Sequence, residues 1–215
     1  MSSRDEILQR VRAGVGRGDV AGRRAAAEAW LADRARGPQP VLGADLAGRF
    51  ADKAASLSSS VERIGGRADL PAAVARFLTD GGLGTAAVIA ADLADLDWAG
   101  QGLSVAARPA VDRDTVGITG CFCAIAETGT LLLLSGPQTP ASVSLLPETH
   151  IALVPAARIV ATMEDAFALL RTEHGELPRA LNFISGPSRT GDIEQTIVLG
   201  AHGPRRVHLL VAGAA

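Results

Sequence analysis

Hydrophobic positions follow two rhythms along this chain. Up to about residue 58 they recur at helical spacing. Ser3 and Glu6 form a capping-box pair ahead of Ile7, Leu8 and Val11, which predicts a first helix broken by the glycines at 14–18. A second helix is expected over about 20–36, with Ala25, Ala29 and Leu31 at apolar positions. Gly37-Pro38-Gln39-Pro40 reads as a linker. A third helix, about 45–57, runs into Ser58-Ser59-Ser60. Beyond it, short apolar runs alternate with helical segments. Strands are expected at 61–64, 85–90, 103–106, 131–134, 151–154, 180–184 and 207–211, and helices at 69–78, with Pro71 in its first turn, and at 163–171. The run at 131–134 is continuously apolar, as in a strand buried on both faces.

Such alternation predicts an α/β fold with a largely parallel sheet and helices on both faces. It divides the chain into a helical extension, 1–58, and an α/β domain, 59–215. Gly81-Gly82-Leu83-Gly84-Thr85 lies before a strand, the wrong order for a dinucleotide loop, and reads as a helix C-cap and turn.

The segment 180–194 stands out. An apolar strand stops at Gly186-Pro187-Ser188-Arg189-Thr190-Gly191, and Asp192 opens an apolar-periodic stretch, 193–199, read as a helix. Strand–loop–helix junctions are common ligand sites in α/β proteins, and first-turn amides attract anions. Ser188, Arg189 and Thr190 would supply donors; the structural alternative is an ordinary N-cap at Asp192 or Thr190 and an Arg189–Glu194 pair.

Composition narrows the chemistry. A formal charge of −2 gives no case for non-specific nucleic-acid binding. Lys53 is the sole lysine, and there is no tyrosine, so a tyrosine acid or base is excluded. No window reaches transmembrane length and the N-terminus lacks an apolar signal core, so membrane insertion is not expected and the cytoplasm is the default. Cys121 and Cys123 are too few for an iron–sulfur cluster, and no metal site is expected; they read as small apolar fillers.

Three further motifs carry candidate chemistry. Glu127, followed by Thr128, Gly129 and Thr130, sits at the edge of the 131–134 run, where burial would raise its pKa and suit it to acid, base or nucleophilic work; a cap or turn contact is the alternative. Glu148 and His150 are two apart at the start of a strand and would share a face. His202, between Gly200 and Gly203-Pro204, is a candidate proton carrier or ligand, or a histidine placed by a helix dipole.

In order, Gly117-Ile-Thr, Ile125-Ala-Glu-Thr-Gly-Thr, Ser144-Leu-Leu-Pro-Glu-Thr-His-Ile, Ile184-Ser-Gly-Pro-Ser-Arg-Thr-Gly-Asp-Ile-Glu and Gly200-Ala-His-Gly-Pro resemble the blocks of the LUD-domain family, densely from 116 to 211 and more thinly over 61–110. The resemblance implies a three-layer α/β/α sandwich of the NagB/RpiA/CoA-transferase-like type. It implies a bacterial accessory component of L-lactate oxidation to pyruvate, partnered by iron–sulfur oxidoreductase subunits that hold the clusters, with no cofactor in this chain. The expected site joins Glu127, Asp192 and His202 as acid–base groups to Thr128, Gly129, Thr130, Glu148, His150, Ser188, Arg189 and Thr190 around a small anionic ligand. Two other readings stand beside it: an autonomous enzyme acting on a phosphorylated or CoA-linked substrate, and a ligand-sensing or scaffold module without catalysis.

Overall fold

The computed structural model describes residues 2–15, 19–190 and 198–213. The chain divides into two compact units, Met1–Gln39 and Pro40–Ala215. The first holds α1 (Ser3–Val15) and α2 (Val20–Asp33), neither with a buried residue. The capping box of α1 starts one residue earlier than its pattern suggested. Asp5 N–H donates to the Ser2 hydroxyl at 3.3 Å, and Ser2 N–H donates to the Asp5 carboxylate at 3.1 Å. Asp19 caps α2 by accepting from Gly22 N–H at 2.8 Å.

The second unit begins with α3 (Leu46–Ser56), capped by Asp45, which accepts from Gly48 N–H at 2.7 Å. Then follow β1 (Ser60–Ile64), α4 (Leu70–Asp80), β2 (Ala86–Ile89), β3 (Ser104–Ala107) and β4 (Val116–Thr119). Next come β5 (Cys123–Ile125), β6 (Thr130–Leu134), α5 (Ser142–Leu145), β7 (Thr149–Pro155) and β8 (Ile159–Val160). The remainder is α6 (Met163–Glu173), β9 (Leu181–Ile184), β10 (Arg189–Thr190), β11 (Val198–Leu199) and β12 (Arg206–Ala212). The helix C-cap read at 81–82 is a Schellman turn. Leu83 N–H reaches back to the Leu78 carbonyl and Gly82 N–H to that of Thr79, with Gly82 at φ +62°.

Six strands form one parallel sheet in the order β1-β12-β7-β4-β2-β3. A second sheet, β8-β5-β6-β9, is mixed, with β6 antiparallel to both neighbours. The apolar run at 131–134 is buried as expected, but it is a central strand of this smaller sheet. It is covered on one face by the large sheet and on the other by α6.

The layers follow from which residues are apolar. Leu70, Val74 and Leu78 of α4 pack on Ile89, Ile118, Ile151 and Leu210 at one face of the large sheet. On the other face, Phe50 and Ala54 of α3 and Ala124 and Leu131 of the small sheet meet Ala152, Val154 and Leu209. Ala166 of α6 closes the far side of the small sheet against Cys123, Ile125 and Leu132. The architecture is therefore α/β, with a mostly parallel sheet and helices around it. Because Phe50 and Ala54 are wholly buried in that core, α3 belongs to the second unit and not with the two helices before it.

The helix expected over 193–199 is corrected in part. Residues 191–197 lie outside the described residues, and Val198–Leu199 is a strand that pairs antiparallel with Arg189–Thr190. Gly200 accordingly ends no helix. At φ +82° its N–H donates to the Ser188 carbonyl at 2.9 Å, turning the chain out of this two-stranded ribbon. The backbone pairing of 189–190 and 198–199 overrides a period that looked helical because the apolar positions Val198 and Leu199 are adjacent.

Candidate functional site

In the large sheet the chain leaving β2 moves outward to β3, while the chain leaving β4 moves the other way to β7. Connections that diverge from adjacent parallel strands open a crevice at their carboxyl ends, the usual place for a ligand in this fold class. A cleft of about 260 Å³ lies there, lined by Asp92 beyond β2, Thr119 and Gly120 at the end of β4, Phe122, Leu133 and Leu134 of the small sheet, Asn182 of β9, and Ala141 and Ser144 around α5.

Local packing fixes each wall. A Cβ at Gly117 would stand 1.9 Å from the Val143 carbonyl oxygen, so only glycine lets the α5 backbone lie on β4. Ala90 N–H donates to the Ile118 carbonyl at 2.9 Å and Ala91 N–H to that of Gln138 at 2.8 Å, tying the chain after β2 to the cleft rim. Asp92 then overlies Gly120, where a Cβ would come within 3.3 Å of its carboxylate. The Ser144 and Thr139 hydroxyls donate to the carbonyls of Ala141 and Leu134, at 3.0 and 2.7 Å.

Electrostatically the cleft is unusual for what it lacks. Its lining contains no lysine or arginine, and its one histidine, His174, packs edge-on against Phe122. Asp92 is the one carboxylate, held above the ordinary range by partial desolvation, against which Arg67 pulls only weakly. Thr119 Oγ1 lies 2.8 Å from Nε2 of His150, which is wholly buried. Burial pushes His150 down to about 4, so it is neutral at pH 7, and its Nδ1 has no partner among the described residues. Asn182 Nδ2 is likewise enclosed and, among the described residues, unpartnered. The thiols are pushed up by burial, Cys121 to about 12 and Cys123 to about 11. They fill space on the two sides of the small sheet, Cys123 buried and Cys121 partly exposed at the cleft wall.

None of the residues predicted from motifs lines this cleft. Glu127 is half-buried in the β5–β6 turn, its N–H donating to the Ala161 carbonyl at 3.0 Å. Gly129, at φ +65°, brings that turn onto α3, where a Cβ would meet Ala54 N at 2.6 Å. The Thr128 hydroxyl is buried without a partner among the described residues, and that of Thr130 lies 2.6 Å from Ser185 Oγ. Arg189 is exposed; its guanidinium donates to the Leu57 carbonyl at 3.3 Å and to the Ser58 hydroxyl. It thus caps the carboxyl end of α3, where a cation suits the helix dipole, instead of facing an anion.

Ser188 N–H donates to the Pro204 carbonyl at 2.8 Å, which sets the exposed His202 turn beside it; Thr190 is half-buried in β10. The expected Glu148–His150 pair does not form. Glu148 is exposed ahead of β7 in a 3.0 Å ion pair with Arg205, whereas His150 lies within the strand against Thr119. Asp192 lies outside the described residues. Glu148, Ser188, Arg189 and His202 therefore gather near the amino ends of β1, β7 and β12, at the opposite end of the sheet from the cleft. The residues missed are Asp92, Thr119 and Asn182. The strand-end argument applied to 180–184 holds equally for 85–90 and would have pointed to Asp92; Thr119 ends β4, a strand the apolar pattern did not single out, and Asn182 lies inside the 180–184 run.

A model of the LUD domain matches residues 49–212. Curated relatives include proteins named lactate utilization protein C. That of Anoxybacillus flavithermus is 38% identical over 102 residues, 47% of this chain and 46% of that one. That of Shouchella clausii is 45% identical over 98 residues, covering 45% and 43%; that of Bacillus subtilis is 40% identical over 105 residues, covering 47% and 44%. The matched segments thus span about half the length of these relatives. A crystal structure of a DUF162 family protein from Deinococcus radiodurans superimposes with a TM-score of 0.58 at 26% identity, covering 81% of this chain and 100% of that one. Among the described residues no helix is long and apolar enough to cross a membrane.

Proposed function

The chain belongs to the LUD domain family, and from that premise we propose that it acts in the bacterial cytoplasm as an accessory component of an L-lactate-oxidising system. In this reading the conversion of L-lactate to pyruvate takes place on iron–sulfur oxidoreductase partner subunits, which hold the clusters. This chain contributes a folded binding module. What supports the reading is similarity, at 36–45% identity over about half of the chain, to proteins named lactate utilization protein C.

Reconstitution tests it. Lactate-dependent dye reduction is measured with the iron–sulfur subunits alone, with this chain alone, and with all together. The expected result is no turnover by this chain alone and a rate for the full set well above that of the partners. Equal rates with and without the chain, or lactate turnover by the chain in isolation, overturn the proposal.

A further inference from the structure

We propose that the cleft at the carboxyl ends of β2 and β4 binds an uncharged planar ring through an amide-like edge, a carbonyl beside an N–H, and not a carboxylate or phosphate. This goes beyond the lactate reading and does not depend on it.

Charge decides first. A small anion entering a cleft walled by Phe122, Leu133 and Leu134 sheds hydration and needs a fixed cation in return. The lining holds no lysine or arginine; its one histidine, His174, is packed edge-on against Phe122 with ring centroids 5.5 Å apart, and the Asp92 carboxylate opposes an anion. Arg67, the arginine nearest Asp92, is committed elsewhere: it donates to both Asp95 oxygens and to the Asp92 backbone carbonyl. His150 is neutral and stands behind Thr119.

Hydrogen bonding then sets the edge. Neutral His150 has two tautomers. If Nε2 accepts from Thr119, the proton sits on Nδ1 as a buried donor without a partner. If Nε2–H donates to Thr119 Oγ1, only a lone pair on Nδ1 is left bare, and orphaned acceptors are better tolerated than orphaned N–H groups. The second tautomer frees the Thr119 O–H to donate into the cleft. Asn182 Nδ2 is a second donor without a partner. Asp92 is an acceptor at the rim. The Ser144 and Thr139 hydroxyls are spent on backbone carbonyls and the His174 ring stands edge-on to Phe122, so the Thr119 and Asn182 donors and the Asp92 acceptor, set among apolar walls, match a ring carbonyl with a neighbouring N–H. A carboxylate offers only acceptors and would leave Asp92 facing like charge.

Lumichrome, an uncharged fused ring with an imide edge, is a suitable probe. Titration of the full chain at pH 7 by fluorescence should show saturable binding. Thr119→Val and Asn182→Leu should each weaken it about tenfold, the factor for one lost hydrogen bond in a dry site. Thr119→Ser should retain it, and thermal melts confirm that all three variants fold. Pyruvate, L-lactate and inorganic phosphate, titrated calorimetrically, should give no saturable heat that lumichrome displaces. Absence of lumichrome binding, equal binding by the Val and Leu variants, or an anion that fills the site and excludes lumichrome each overturns the assignment. The partner subunits are absent from this titration, so its failure leaves the lactate reading standing.

Discussion

Gly117→Ala tests the seat on which the cleft is built. The new Cβ would lie 1.9 Å from the Val143 oxygen, 3.1 Å from its carbonyl carbon and 3.0 Å from Pro147 Cγ. A carbon–oxygen contact relaxes at about 3.3 Å, so α5 must retreat by roughly 1.4 Å. The obstacle is helical backbone and cannot swing aside as a side chain would. Overpacking of this kind costs about 1–3 kcal/mol. The retreat also loosens Val143, wholly buried against Val88 and Ala110, at a further cost of about 1–2 kcal/mol.

The total, about 2–5 kcal/mol, corresponds to a fall in Tm of roughly 4–20 °C for a domain of this size. Calorimetry or circular-dichroism melts measure it. Gly66→Ala is the control: its Cβ meets nothing within 4 Å and its backbone is extended, so its effect should stay within about 0.5 kcal/mol. A Gly117→Ala melt within 2 °C or so of the parent would refute the close seating of α5 on β4.

Other outcomes follow from the same packing. Phe50→Ala, at a fully buried position between α3 and the large sheet, should lower stability by about 3–5 kcal/mol in urea unfolding; a loss under about 1 kcal/mol would contradict the placement of α3 in the core. Arg189→Ala should cost about 0.5–1.5 kcal/mol by uncapping α3, with Arg189→Lys recovering part of it; no loss in either variant would mean that the cap is idle. His150 and His208 are both pushed down to about 4 by burial, His208 against the opposing Glu62 carboxylate. Between pH 6.5 and 4 the unfolded chain takes up protons that the fold refuses, so stability must fall as pH drops through that window. The loss is bounded at about 3 kcal/mol per histidine by pH 4. A urea midpoint that is flat or rising from pH 7 to 4.5 would contradict the burial of these rings.

The core was the most legible part of the sequence, because apolar period reports burial directly. The runs at 85–90, 151–154 and 207–211 became β2, β7 and β12, and the 69–78 pattern became α4. Period says nothing about which strand pairs with which. The runs at 131–134 and 180–184 resemble parallel-sheet strands, yet they fold into the smaller sheet. The candidate site was harder to read because motif density guided it. Residues around Glu127 and Arg189 are conspicuous, but they anchor turns onto α3, where Gly129 and Gly186 permit backbone contacts that a side chain would block. The cleft is made of commonplace residues, Asp92, Thr119 and Asn182 among them, joined only by topology. A single sequence gives no sign that the ends of β2 and β4 diverge.

The position of β12 constrains how the chain can be made. It lies between β1 and β7, and its His208 meets Ser60 across a separation of 148 residues. During synthesis β1 therefore waits for its sheet neighbour. At about 5–20 residues per second the delay is roughly 7–30 s. Throughout that interval Val61 and Ile64 on one side, and the β7 edge on the other, flank a gap one strand wide. A ribosome stalled before Arg206 would hold a nascent chain with two unpaired strand edges. That is the kind of surface that recruits chaperones or pairs with a neighbouring copy.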